Sequence, residues 1–262
     1  MAYTRLRWRF TVSSSHMLEV GLVCCTVFEP EIRLLASTAP NVRSMKFIDQ
    51  SYHDRPNVLR EHIRTAIAEL ETDPLVEVVV FGFGLCSRTI EQLTTTRCPL
   101  VIPRAHDCIS LLLGSAERYA SCMKECPGTY WYSRGWLAGG RVLTPEKLEQ
   151  QHAEIAAKYD VELADEMLES ERQVLRTYQR ACYVDLGLFE SHADFERTKQ
   201  IAAAFSWEPR LEHGDPGWLT RMLTGPWDER EFLVLQPGEM AECSGDEHIL
   251  RKVAPRPVPV KP

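Results

Sequence analysis

The run LVEVVVFGFG, residues 75–84, constrains the fold more than any other stretch of this chain. It is apolar without alternation, so a strand built from it must be covered on both faces, which is the environment of a parallel sheet flanked by helices. VGLVCCTVF (20–28) and PLVIP (99–103) are similar runs, and RSMKFID (43–49) alternates as a strand does. Helical segments fall between them. PEIRLLASTAP (30–40) is short and ends before Pro40. NVLREHIRTAIAELET (57–72) places Leu59, Ile63, Ile67 and Leu70 on one helical face with Asn57 as N-cap, and LCSRTIEQLTT (85–95) is a third short helix. Strand and helix in alternation predict a parallel sheet with crossover helices, and such sheets bind ligands beyond the carboxyl ends of their strands.

The rest of the chain continues the theme. TPEKLEQQHAEIAAKYDVELADEMLESERQVLRTYQRA (144–181) reads as a long helical stretch with Thr144 as N-cap and a break near Tyr159 and Asp160. CYVDLGLF, WEPRLEH and EFLVLQPG are further strands, PGTYWYSRGW (127–136) is an aromatic wall of the core or else a stacking platform, and Asp215 is the cap of a late helix. The expected architecture is α/β: a mostly parallel sheet flanked by helices, with a second α/β lobe from the C-terminal part. The expected divisions are an N-terminal extension (1–19), a first lobe carrying the site (20–140), a second lobe (141–243) and an extended, proline-rich tail (244–262).

Charge and patterning narrow the function. A net charge of -7 and a pI near 5.7 argue against a nucleic-acid partner, which would select a basic face. No run of 18 apolar residues offers a membrane span, and Ser13–Ser15, His16 and Glu19 interrupt the N-terminal apolar stretch, so a cytoplasmic protein is expected. Nine cysteines, an odd number, fit reduced thiols better than a disulfide framework.

The chemistry-bearing residues gather at strand ends. Cys24 and Cys25 close the first strand, His53 follows the second, Cys86 the third, and Arg104, His106, Asp107 and Cys108 the fourth. If these strands are parallel, all of them stand at one edge of the sheet. Thiolates with imidazole suit tetrahedral zinc, and three thiolates also hold an iron-sulfur cluster with one iron open. Cys24 and Cys25 point to opposite faces, so at most one is a ligand. Arg104 is expected to clamp an anion or pair with Asp107. His53 is either a proton-moving group, a ligand or a satisfied turn histidine, and His106 with Asp107 is either catalytic or a helix-capping pair. Gly82 and Gly84 either allow close backbone approach or cradle a substrate anion. The remaining cysteines, 98, 122, 126, 182 and 243, read as small buried apolar side chains or sit in a loose terminal segment.

VCCTVFEPEI, YHDRPNVLREHI, VVVFGFGLCSRTIEQL, PLVIPRAHDCISLLLGSAERY and PGTYWYSRGW resemble the domain-of-unknown-function family 1638. The resemblance implies one cysteine at the first strand end, matched by Cys25, with further matches at His53, Cys86, Arg104, His106, Asp107 and Cys108, and it implies no established reaction. Thr26 stands where an acidic residue is usual, and Ser87 with Arg88 replace small residues and a glycine.

The expectation is a metal-dependent enzyme: Cys25, Cys86 and Cys108 hold Zn2+ or a [4Fe-4S] cluster, Arg104 with Gly82 and Gly84 binds a small anionic substrate, and His53, His106 and Asp107 move protons. Thiol or methyl transfer suits zinc; dehydration or redox chemistry suits a cluster. The alternatives are a metal carrier without catalysis and a metal-free enzyme with Cys108 as nucleophile.

Overall fold

The computed structural model describes residues 17–85, 90–91, 93–139, 142–246 and 248–254. Strand β1 (Val20–Cys25) passes through a 3-10 turn (Thr26–Phe28) into α1 (Glu29–Ala36), followed by β2 (Val42–Ile48), a second 3-10 turn (Gln50–Asp54) and α2 (Pro56–Glu71). β3 (Val78–Gly82) and β4 (Leu100–Pro103) come next, then α3 (Cys108–Leu113) and α4 (Ala116–Glu125). β5 (Thr129–Tyr132), α5 (Arg134–Ala138), α6 (Pro145–Lys158), α7 (Val161–Leu175), β6 (Arg180–Asp185), α8 (His192–Phe205) and β7 (Glu208–His213) build a second layered unit. α9 (Gly217–Thr224), β8 (Phe232–Leu235), β9 (Met240–Cys243) and β10 (Leu250–Val253) end the described chain.

The first sheet has the order β2-β1-β3-β4-β8, parallel through β4 and closed by an antiparallel β8. Its central run behaves as its composition demands: Val78, Val79, Val80 and Phe81 are wholly buried, each worth roughly 1.5–3 kcal/mol of transfer free energy. α2 lays Leu59, Ile63, Ile67 and Leu70 on the core as expected, but Asn57 is not its cap. Pro56 holds the first helical position, with its φ preset and no N–H to satisfy, and Arg55 precedes it.

The second sheet, β5-β6-β7, is parallel throughout. It starts at Thr129, ahead of the boundary expected at 141, while β8 from the expected second lobe completes the first sheet. The long helical stretch does break where expected, with Asp160 capping α7 through Leu163 N–H, and Thr144 caps α6 through Lys147 N–H. The expected tail is not wholly extended, since within it β10 pairs antiparallel with β9. The N-terminal lead up to residue 16 and the end from 255 lie outside the described residues. Among the described residues no helix is long and apolar enough to cross a membrane.

Both sheets turn their carboxyl ends toward the junction between them. β5 leads into α5, and Gly135 there lies so close to the Val27 carbonyl after β1 that no side chain fits. β7 leads to Gly214 and Asp215, whose N–H donates to the Leu112 carbonyl of α3. Asp215 does not cap α9 at its N-cap position, which is Pro216; its carboxylate instead accepts the Gly217 N–H at 2.8 Å.

Candidate functional site

Four parallel strands empty at one edge, and hydrogen bonds tie their ends together. Cys25 lies level with Ile48, and Cys24 with Gly82. The Gln50 N–H after β2 donates to Thr26 Oγ1 after β1 at 3.0 Å, and the Leu85 N–H after β3 donates to the Ala105 carbonyl after β4 at 2.9 Å. The second 3-10 turn fixes His53, whose Nδ1 is 2.8 Å from the Gln50 carbonyl. A neutral imidazole donating there keeps its lone pair on Nε2, the arrangement common to histidine bases and histidine metal ligands. Its ring stacks 6.4 Å from that of Phe83 at the end of β3.

Alternation along β1 separates the paired cysteines. Cys24 is fully buried and its thiol donates to the Gly82 carbonyl at 3.3 Å. Burial, reinforced by the neighbouring Cys25 and Glu31, pushes its pKa well up, so it remains a thiol and a packing group. Cys25 is 3% exposed at the strand end, and Cys108 is half-buried at the first position of α3. Cys86, with Ser87 and Arg88, lies outside the described residues. Among the described residues no group of three or more His, Cys, Asp or Glu side chains is placed to hold a metal ion. Cys98, Cys126 and Cys182 are buried, and burial raises Cys98 and takes Cys182 up to about 12.

Several of these residues take roles other than those expected. The Arg104 guanidinium, expected as an anion clamp, donates through Nε to the Glu229 carbonyl at 2.8 Å and through Nη1 to the carbonyls of His248 and Leu250. It braces β4 to the C-terminal hairpin and lines a groove of about 1250 Å3 formed with Trp227 and Phe232 rather than facing the strand ends. Gly82 and Gly84 leave room for protein rather than for a substrate. A Cβ on Gly82 would stand 2.5 Å from Cys24 Sγ, and one on Gly84 would overlap the Asp107 backbone. Asp107 caps α3, accepting from Ile109 N–H at 2.9 Å and Ser110 N–H at 3.1 Å, and His106 beside it is exposed.

One group at this edge escapes a reading of the sequence by motif. Glu31, in the first turn of α1, is 2% exposed, and its Oε2 has no hydrogen-bond partner among the described residues. Burial raises its pKa to about 7, the positive field of Arg134 works against this, and Asp194 adds to it. Arg134 is held by Asp194 Oδ2 at 3.0 Å and by the Glu190 carbonyl, and Tyr183 donates to the same Asp194 oxygen. The signal available in the sequence is positional: Glu31 lies three residues after Phe28 and four before Leu35, on the face that α1 turns inward.

Residues 47–223, more than half of the chain, match the family described as a protein of unknown function, DUF1638. The chain belongs to this family. The DUF1638 match takes in His53, Arg104, His106, Asp107 and Cys108, whereas Cys25 and Glu31 precede it. No curated protein and no solved structure matches the chain.

In this DUF1638 protein a cleft of about 340 Å3 opens beside the strand ends, lined by Gln50, His53 and Asp54 of the second 3-10 turn together with Tyr130, Trp136, Lys147 and Glu171. The aromatic segment therefore does both jobs. Tyr132 is fully buried and Tyr130 stacks on Trp207 at 5.6 Å in the second core, while Tyr130 and Trp136 also face the cleft.

Proposed function

We propose that this protein is a metal-dependent enzyme working at the edge where β1 to β4 end, with Cys25, Cys86 and Cys108 as thiolate ligands of zinc or a [4Fe-4S] cluster. The observation that carries the reading is the strand order: β3 lies between β1 and β4, so the three cysteines follow three adjacent parallel strands. Neighbouring strands are about 4.8 Å apart, which spaces the ends of β1 and β4 by roughly 10 Å. The donor set suits soft thiolate coordination. Bound there, zinc would supply a deprotonated thiolate for thiol or methyl transfer, and a cluster would supply an open Lewis-acidic iron or an electron.

The protein's own residues divide the remaining work. His53, oriented through Nδ1, offers Nε2 as a proton acceptor. Glu31, titrating near neutrality in a buried setting, stores a proton at the same edge. The substrate is a small molecule taken up between the lobes. The metal-free alternative with Cys108 as nucleophile is weakened by Asp107, whose carboxylate already takes the N–H groups at the start of α3 and sets a negative charge beside the thiol. The oriented histidine also suits a fourth ligand, and this favours a metal carrier as the second reading.

Anaerobic purification followed by elemental analysis and a UV-visible spectrum tests the proposal. Stoichiometric zinc or iron is expected, lost in Cys25→Ala and kept in Cys24→Ala. Absence of both metals, or full retention in Cys25→Ala, overturns it.

A further inference from the structure

We propose that the cleft between His53 and the α6–α7 hairpin binds a small zwitterion, a molecule carrying a carboxylate and an ammonium or quaternary amine on a short body. At about 340 Å3 the cleft sits at the small end of the range for small-molecule sites, roughly 300–1,000 Å3. Beside Asp54, its lining carries two opposite charges, Lys147 and Glu171, that pair with no charged group among the described residues. Lys147 Nζ donates only to Gln150 Oε1 on its own helix, at 3.3 Å, and forms no ion pair among the described residues. Glu171, on the neighbouring α7, likewise has no cationic partner among the described residues, and the two do not approach each other within ion-pair distance although both face the cleft.

A ligand of one sign meets repulsion from one of these groups, whereas a zwitterion satisfies both, so the pair selects as well as attracts. Two further features fit the same ligand. Trp136 Nε1 is buried without an acceptor among the described residues, and a carboxylate held by Lys147 would supply one. Tyr130 and Trp136 meet edge to face, with ring centroids 6.4 Å apart, and make an aromatic corner that accommodates an ammonium or methylated amine beside Glu171. Because His53 lines the same cleft, the zwitterion is the substrate class of the reaction proposed above; only that link, and not the binding, rests on the metal-enzyme reading. The anionic substrate expected from Arg104 is thereby replaced, since Arg104 is engaged elsewhere.

Isothermal titration calorimetry on the full chain tests this with three zwitterions, L-norleucine, L-phenylalanine and glycine betaine, beside the single-charge analogues hexanoate and pentylamine. At least one zwitterion should bind saturably, tenfold or more tightly than either analogue. Lys147→Met and Glu171→Gln should each weaken it at least tenfold, with unchanged circular dichroism and unchanged metal content. No saturable zwitterion binding, equal binding of a single-charge analogue, or undiminished binding by both variants overturns the proposal. A metal-free protein that still binds a zwitterion through Lys147 would sink the metal reading and leave this one standing; a metal-loaded protein that binds none would do the reverse.

Discussion

Replacing Glu31 by glutamine should stabilise the protein, and by an amount that grows with pH. The carboxyl is buried, and the groups facing it are Arg134, Asp194 and the Cys24 thiol; its own backbone N–H and Arg134 favour its ionisation, and burial outweighs both. Its pKa is raised from the ordinary 4.5 to about 7. Below 4.5 the group is protonated in both folded and unfolded chains and contributes no difference. As pH rises toward 7 the unfolded chain gains by ionising a group that the fold keeps neutral, so stability falls. With the two values about 2.5 apart and 1.36 kcal/mol per pH unit, the loss levels off at about 3 kcal/mol above pH 7. Glutamine reproduces the protonated carboxyl in shape and in leaving one polar atom unpaired, yet never ionises. Urea denaturation of both proteins from pH 5 to pH 8 should show Glu31→Gln gaining about 2–3 kcal/mol across that window. An advantage independent of pH, or one that shrinks as pH rises, would refute the assignment of a buried carboxyl that resists charge.

Two further outcomes follow from the strand-end geometry. Gly84→Ala should cost about 1–3 kcal/mol in denaturant unfolding, because its methyl must displace the Asp107 backbone and not a yielding side chain; an unaltered midpoint would show that the two loops do not touch. Arg104→Met should raise amide hydrogen exchange in β9 and β10 while leaving β1 and β3 protected, because its guanidinium donates to the carbonyls at 248 and 250; unchanged exchange in the hairpin would contradict the bracing role.

The first sheet was legible because burial on both faces writes itself as unbroken apolar runs, and the strand ends were legible with it. β5 was not: TYWY mixes ring and hydroxyl, and two of its four residues are only half-buried, so it carries neither the continuous nor the alternating pattern of a strand. β9 and β10, MAEC and LRKV, are short and partly exposed and become strands only by pairing with each other. The bracing role of Arg104 is not legible for a different reason. Its partners are main-chain carbonyls 125 to 146 residues further along, and a carbonyl leaves no mark in a sequence. The burial of Glu31 is not legible because a glutamate in a first helical turn ordinarily complements the helix dipole at the surface, and it is the packing of α5 onto the turn before α1 that covers this end of the helix.

β8 joins the first sheet beside β4 although about 130 residues separate them. The half of the molecule that is synthesised first is thus the last to be sealed, since the outer edge of β4 stays open until the chain has travelled through the entire second sheet and returned. The first sheet is incomplete without this late strand, and a chain ending between the two sheets would present bare backbone N–H and C=O groups along β4 to any strand that reached it.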